Sequence, residues 1–191
     1  MDSWTWPALL LDQLTFHWDT AVRPRLTSLT DDEYWWEPVP DCWSVRPRSG
    51  ATTPMATGDG DLVIDWVSPE PDPPPVTTIA WRLGHVIVGV LGKRNALHFG
   101  GPPADYHTWQ YAPTAATALI QLDDAYDLWL QGAKSLDEGA LQQLIGDHEE
   151  GWEEFPYAAL VLHITREVIH HGAEILLLRD LYQRRGQQGV T

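Results

Sequence analysis

Glu167 and His171 stand four residues apart, so on a helix their side chains rise from adjacent turns of one side. A carboxylate and an imidazole placed this way can close on a single divalent cation, as paired ligands do on other metal-binding helices. His163, His170 and Glu174 crowd the same pair. At about 100° per residue, Leu160, Ile164, Glu167, His171, Glu174, Ile175 and Leu178 fall on one stripe. That stripe is the apolar face of a helix that should be buried. Acids and histidines are costly there unless they are paired or coordinate something. The rival reading keeps His170 and His171 as interfacial histidines, hydrogen-bonded to Glu167, Glu174 or a backbone carbonyl. Imidazole is the commonest metal ligand, but a metal site needs a third ligand from elsewhere.

The element that carries these residues reads as one long helix over residues 155–186. Pro156 suits its first turn, where a missing N–H costs nothing, and Glu149, Glu150, Glu153 and Glu154 gather at its positive end. Arg179, Arg184 and Arg185 lie toward the negative end, and Gly186 is placed to stop it.

The third ligand is sought among His17, His85, His98, His107 and His148. His85 is the best placed. Its stripe comprises Thr78, Trp81, Arg82, Gly89 and Gly92, and the two glycines leave room for a neighbour or a cavity above the imidazole, at a cost in helix propensity. The rival reading is a core histidine donating to a carbonyl. His17 is expected to pack, and His98, His107 and His148 fall at helix ends or in loops and are expected to be solvated.

The elements follow from periodicity and punctuation. Residues 6–29 read as a first helix that Pro24 should kink or shorten. Thr30-Asp31-Asp32-Glu33 has the form of a capping box opening a short helix. Residues 37–75 hold nine of the fifteen prolines and read as irregular chain, with short strands at residues 42–45 and 62–66 paired across a turn at Gly58–Gly60. Thr77 or Thr78 caps a second helix reaching about Phe99, and Pro113 starts a third reaching about Lys134. Ser135-x-x-Glu138 is a further capping-box candidate, opening a helix to Ile145. Together these predict an all-α fold in one domain spanning residues 1–191: a four-helix bundle with long crossover connections and a small irregular hairpin insertion between helices one and two.

The chain has 191 residues and a formal net charge of −15, which argues against nucleic acid or anionic membrane as a partner. Its single cysteine, Cys42, excludes an intramolecular disulfide and a cysteine zinc cluster. No stretch has the length of a membrane span and the N-terminus lacks the basic start of a signal peptide, so a cytoplasmic protein is expected. Eleven tryptophans imply an aromatic core or an aromatic pocket.

Trp81-Arg82-Leu83-Gly84-His85 and, far downstream, His163-x-x-x-Glu167-x-x-His170-His171-Gly172 together resemble the DinB/YfiT-like superfamily of bacterial metalloenzymes. Trp35-Trp36-Glu37-Pro38 and Cys42-Trp43-Ser44-Val45 resemble the segment after its first helix. The resemblance implies a four-helix bundle binding one divalent metal through His85, Glu167 and His171, with zinc, nickel or iron as the ion. Glutamate at position 167 resembles the branch of mycothiol-dependent maleylpyruvate isomerase and related thiol S-transferases; other members have histidine there. Gly172 and Ala173 depart from the arginine or glutamine often found after the histidine pair.

From that resemblance, the implied activity is a metal-dependent transferase or isomerase. Its cosubstrate would be a low-molecular-weight thiol, mycothiol or bacillithiol, and its other partner a small electrophile. His163, His170 and Glu174 are then expected to surround the ligands, and Trp43, Trp66 and Trp81 to line the substrate pocket, with residues 37–75 as a lid. Whether the chain forms a homodimer stays open. The alternative is a non-catalytic, metal-stabilised binding or stress-response module. A di-iron bundle would need a second E-x-x-H, and a zinc protease an H-E-x-x-H; the sequence has neither.

Overall fold

The computed structural model describes residues 5–186. Helix α1 runs over Trp6–His17, widens to a π-helical segment at Trp18–Val22, and returns to α geometry for Arg23–Leu26. The π segment lies just ahead of Pro24, whose ring and missing N–H forbid the regular ladder at that turn. The expected kink is therefore a π-bulge, and the helix ends at Leu26 rather than Leu29. Helix α2, Asp31–Tyr34, has the capping box foreseen for it: Glu33 N donates to Thr30 Oγ1 at 3.2 Å, and Thr30 N to Glu33 Oε2 at 2.9 Å.

Strands β1, Val45–Pro47, and β2, Leu62–Ile64, pair antiparallel with Val45 opposite Ile64 and Pro47 opposite Leu62. The hairpin is real, but its first strand starts later than expected. Trp43 turns aside to pair with the chain entering the next helix, where Trp43 N donates to Val76 O and Thr78 N to Trp43 O, each at 2.9 Å. Asp65, fully buried, then ties the hairpin together by accepting from Ser44 N at 3.0 Å and Arg46 Nε at 2.9 Å.

Helix α3 comprises Ile79–Gly84, a π-helical segment His85–Gly92, and Lys93–His98, with Thr78 as its N-cap. Helix α4, Ala115–Lys134, is capped by Thr114. Helix α5, Glu138–Gln142, is capped by Asp137, which accepts from Ala140 N at 2.8 Å. This corrects the expected Ser135 box: Ser135 closes α4 instead, its hydroxyl donating to Gly132 O. Helix α6 spans Tyr157–Arg184, with Pro156 outside it as the N-cap.

Helices α1, α3, α4 and α6 pack on one another around a shared core that includes Leu14, Leu83, Ile87, Leu122, Trp129 and Leu160. Fully burying each such side chain is worth about 1.5–3 kcal/mol. The fold is thus predominantly helical with one small hairpin. Two further expectations for single residues fail. Arg179 is buried and donates to Glu33 Oε1 at 2.9 Å, so it joins α6 to α2 rather than serving the helix end. His98 is not solvated: its side chain is fully buried, with Nε2 3.3 Å from Glu149 Oε2. Among the described residues no helix is long and apolar enough to cross a membrane.

Candidate metal centre

His85 sits where α3 passes from α to π geometry, a local widening often found at functional positions. Its Nδ1 lies 2.7 Å from the hydroxyl of Tyr106, a residue of the α3–α4 connection. Gly89 makes that contact possible. A Cβ at position 89 would stand 1.9 Å from the Tyr106 oxygen, so only glycine lets the phenol reach over the helix. The Trp81 ring stacks on the imidazole, 5.3 Å away and within 17° of parallel. Trp81 is fixed in turn by its indole N–H, which donates to Asp65 O at 2.9 Å.

Helix α6 brings the opposing face. The His171 ring is 4.8 Å from the His85 ring and nearly perpendicular to it. His171 Nδ1 donates to Glu174 Oε2 at 2.7 Å, which leaves Nε2 as the lone-pair nitrogen; Nε2 lies 3.4 Å from Glu167 Oε2. Arg82 Nη1 also lies near His171 Nδ1, but at 3.5 Å, and the shorter carboxylate contact sets the tautomer. The other oxygen of Glu167 accepts from Arg166 Nη2 at 3.1 Å and lies 3.5 Å from His163 Nδ1. Thus both histidines have Nδ1 engaged, and a carboxylate stands beside the free nitrogen of one of them.

The electrostatics set the protonation states of these three groups. Burial, with smaller contributions from His171 and Arg82, holds the His85 imidazole down to about 3. Burial also lowers His171 below the usual histidine value, against the opposing pull of Glu174. For Glu167 burial acts upward, but the Arg166 hydrogen bond and neighbouring charges outweigh it and hold the carboxyl below its ordinary range. At neutral pH the group presents two neutral imidazoles and one carboxylate, the protonation states that ligands require.

The remaining expected residues divide. His163 touches Glu167 and packs against Trp152, ring to ring at 4.8 Å. His170 is exposed, with Nε2 3.4 Å from Glu174 Oε1 and its ring 5.0 Å from that of His171. Among the described residues, the group whose ligand atoms all lie within 4.8 Å of one another is His170, His171 and Glu174, and it includes neither His85 nor Glu167. Arg82 Nε stands 3.1 Å from Glu174 Oε2, and its guanidinium already supplies the positive charge a cation would bring there. Trp43 lies 6.0 Å from Trp81 and 6.3 Å from Trp66, and Trp66 stacks on Tyr106 at 6.1 Å. A cavity of about 220 Å³ opens between Trp66, Trp81 and Tyr106, walled also by Met55 and Thr57 of the segment 37–75.

Tyr106 and Arg82 were not among the expected site residues. The signal for Tyr106 was Gly89, one turn beyond His85, but a glycine announces a close approach without naming what approaches. Arg82 lies within the motif quoted above, and only the packing of α3 on α6 shows that it meets Glu174.

The chain belongs to the DinB superfamily, whose family model matches residues 13–175. The matched span contains His85, Glu167 and His171. Among curated proteins and among solved structures, none matches significantly.

Proposed function

We propose that α1, α3, α4 and α6 form a four-helix bundle holding one divalent metal ion through His85, Glu167 and His171. The carrying observation is the approach of the two imidazoles to 4.8 Å with each Nδ1 already engaged, by Tyr106 and by Glu174. Metal-bound histidines commonly give their second nitrogen to such partners, which fixes tautomer and ring orientation. Two imidazoles and a carboxylate suit zinc, nickel or iron, and three protein ligands match a catalytic rather than a structural site.

The reaction class we favour is group transfer or isomerisation with a low-molecular-weight thiol of the mycothiol kind. An ion held by these ligands would supply Lewis acidity and favour the thiolate of a thiol reaching an open position. The chain's own residues do the rest. Tyr106 and Glu174 hold the imidazoles, Arg166 keeps Glu167 ionised, and the aromatic walls of Trp66, Trp81 and Tyr106 exclude water from an electrophile. Metal analysis of the purified protein, followed by turnover with candidate thiols, tests this reading. A metal-loaded sample inert toward every thiol would support a metal-stabilised binding module instead. A sample that takes up no divalent metal would overturn both.

A further inference from the structure

Arg82 stands one turn before His85 on α3, so the two side chains share a face of that helix. Its guanidinium lies over the Trp81 ring, with Cζ 5.3 Å from the ring centre, and its Nε stands 3.1 Å from Glu174 Oε2. The terminal fork, Nη1 and Nη2, is unanswered. Nη1 approaches His171 Nδ1 at 3.5 Å, but that nitrogen already donates its proton to Glu174 and has no lone pair to offer. Nη2 has no hydrogen-bond partner among the described residues and is open to solvent, the side chain being 19% exposed. Interior arginines elsewhere in the chain are fully engaged. Arg46 meets Glu37, Asp65 and the Cys42 carbonyl, and Arg179 meets Glu33, Ser28 O and Ser28 Oγ. Burial lowers the Arg82 guanidinium below the usual arginine range, against the opposing pull of Glu174 and Glu70. It is a cation short of acceptors, beside two of the proposed metal ligands.

We propose that the substrate of that metal centre carries a carboxylate, which the terminal fork of Arg82 receives. The proposal rests on the reading of His85, Glu167 and His171 given above. A planar carboxylate matches the fork with two parallel N–H···O bonds, each charge-assisted. A phosphate dianion fits less well, because Glu174 and Glu70 already flank the guanidinium and repel the second charge. Either the thiol or the electrophile can supply the carboxylate, and the test separates the two.

The test uses the full chain labelled with ¹⁵N, both zinc-loaded and metal-free, and follows the Trp81 indole resonance, assigned by its loss in Trp81→Phe. That N–H is held by Asp65 O and lies in the ring beneath Arg82, so it reports on the site even when Arg82 is replaced. One arm compares 3-mercaptopropionate with its amide, and the other compares crotonate with crotonamide. In at least one arm the acid should bind the zinc-loaded protein with a dissociation constant of about 1 mM or tighter, and roughly tenfold more tightly than the amide. The arm that shows the preference assigns the carboxylate to the thiol or to the electrophile. Arg82→Gln should erase the preference, and Arg82→Lys, which keeps the charge and loses the fork, should reduce it several-fold. If Arg82→Gln fails to fold, as judged by circular dichroism, Arg82→Lys decides, and an undiminished preference there would overturn the proposal. A chain that takes up no zinc would sink the metal reading alone, since the crotonate preference of the metal-free chain still decides the role of Arg82. Equal binding of acid and amide in both arms, no saturable shift with any probe, or a preference that survives Arg82→Gln would overturn the proposal itself.

Discussion

At the scale of residues, the site depends on what holds each imidazole. Gly89→Ala would place a methyl 1.9 Å from the Tyr106 oxygen and so displace the phenol from His85. Metal affinity should fall by roughly 10–100-fold, the usual effect of removing such a partner. Tyr106→Phe should reproduce the loss without touching the helix, and calorimetric zinc titration of both variants checks it. Glu174→Gln, beside His171, should cost a similar factor; unchanged affinity would assign Glu174 to its ion pair with Arg82 alone. The pH behaviour of the metal-free protein follows from His85. Its imidazole is held to about 3 when folded and rises to about 6.5 when unfolded, so between those values the unfolded chain binds the extra proton. Stability is therefore full above about pH 6.5 and is lost as pH falls toward 3, by a total on the order of 5 kcal/mol. Urea midpoints measured across that range, with chelator present, should show the loss, and His85→Phe should flatten it.

At the scale of elements, a buried polar bracket meets the π segment of α3. Arg94 donates to the carbonyl of Gly89 and pairs with Glu149, which also meets His98. Glu149 is buried and belongs to the segment just before α6, so the bracket ties the two helices that carry the proposed ligands. Glu149→Ala strands the Arg94 guanidinium in the interior and should destabilise the fold by about 3–5 kcal/mol; a urea unfolding curve measures it. This bracket was not legible in the sequence, where Glu149 looks like one of four acids at a helix start and His98 like a surface residue. Local signals were read more successfully. The Thr30 capping box, the Thr78 cap and the helical stripe of α6 all depend on neighbours within a turn or two. Ser135 failed because Asp137, two residues on, competes for the same cap with a carboxylate. Residue types and resemblance named His85 and His171 as candidates for one site, whereas their Nδ1 partners, Tyr106 and Glu174, are visible only in the packed helices.

At the scale of the whole molecule, the open question is what the proline-rich segment 37–75 does. It is not a free flap. Asp59 N donates to Trp109 O at 2.9 Å, Thr57 meets His107 at 2.7 Å, and Asp65 anchors the hairpin in the interior. Deleting residues 50–60 would break those ties and the pairing of Thr57 with Ile64, so a trimmed variant would report on folding rather than on closure. The informative position is Trp66, about 39% exposed, stacked on Tyr106 and forming part of the wall of the 220 Å³ cavity. An engineered apolar void of about 150 Å³ holds benzene, so this cavity is large enough for a single-ring or short-chain electrophile. If the segment forms part of the substrate pocket, Trp66→Ala removes binding surface but no group that touches the metal ligands directly. Metal content should then stay unchanged while KM for the electrophile rises by roughly 10-fold, the loss of a little over 1 kcal/mol of contact. If Trp66 merely covers the end of the helices, the same variant should lower the melting temperature and leave KM alone. Metal analysis, a melting curve and steady-state kinetics on one preparation separate the two outcomes.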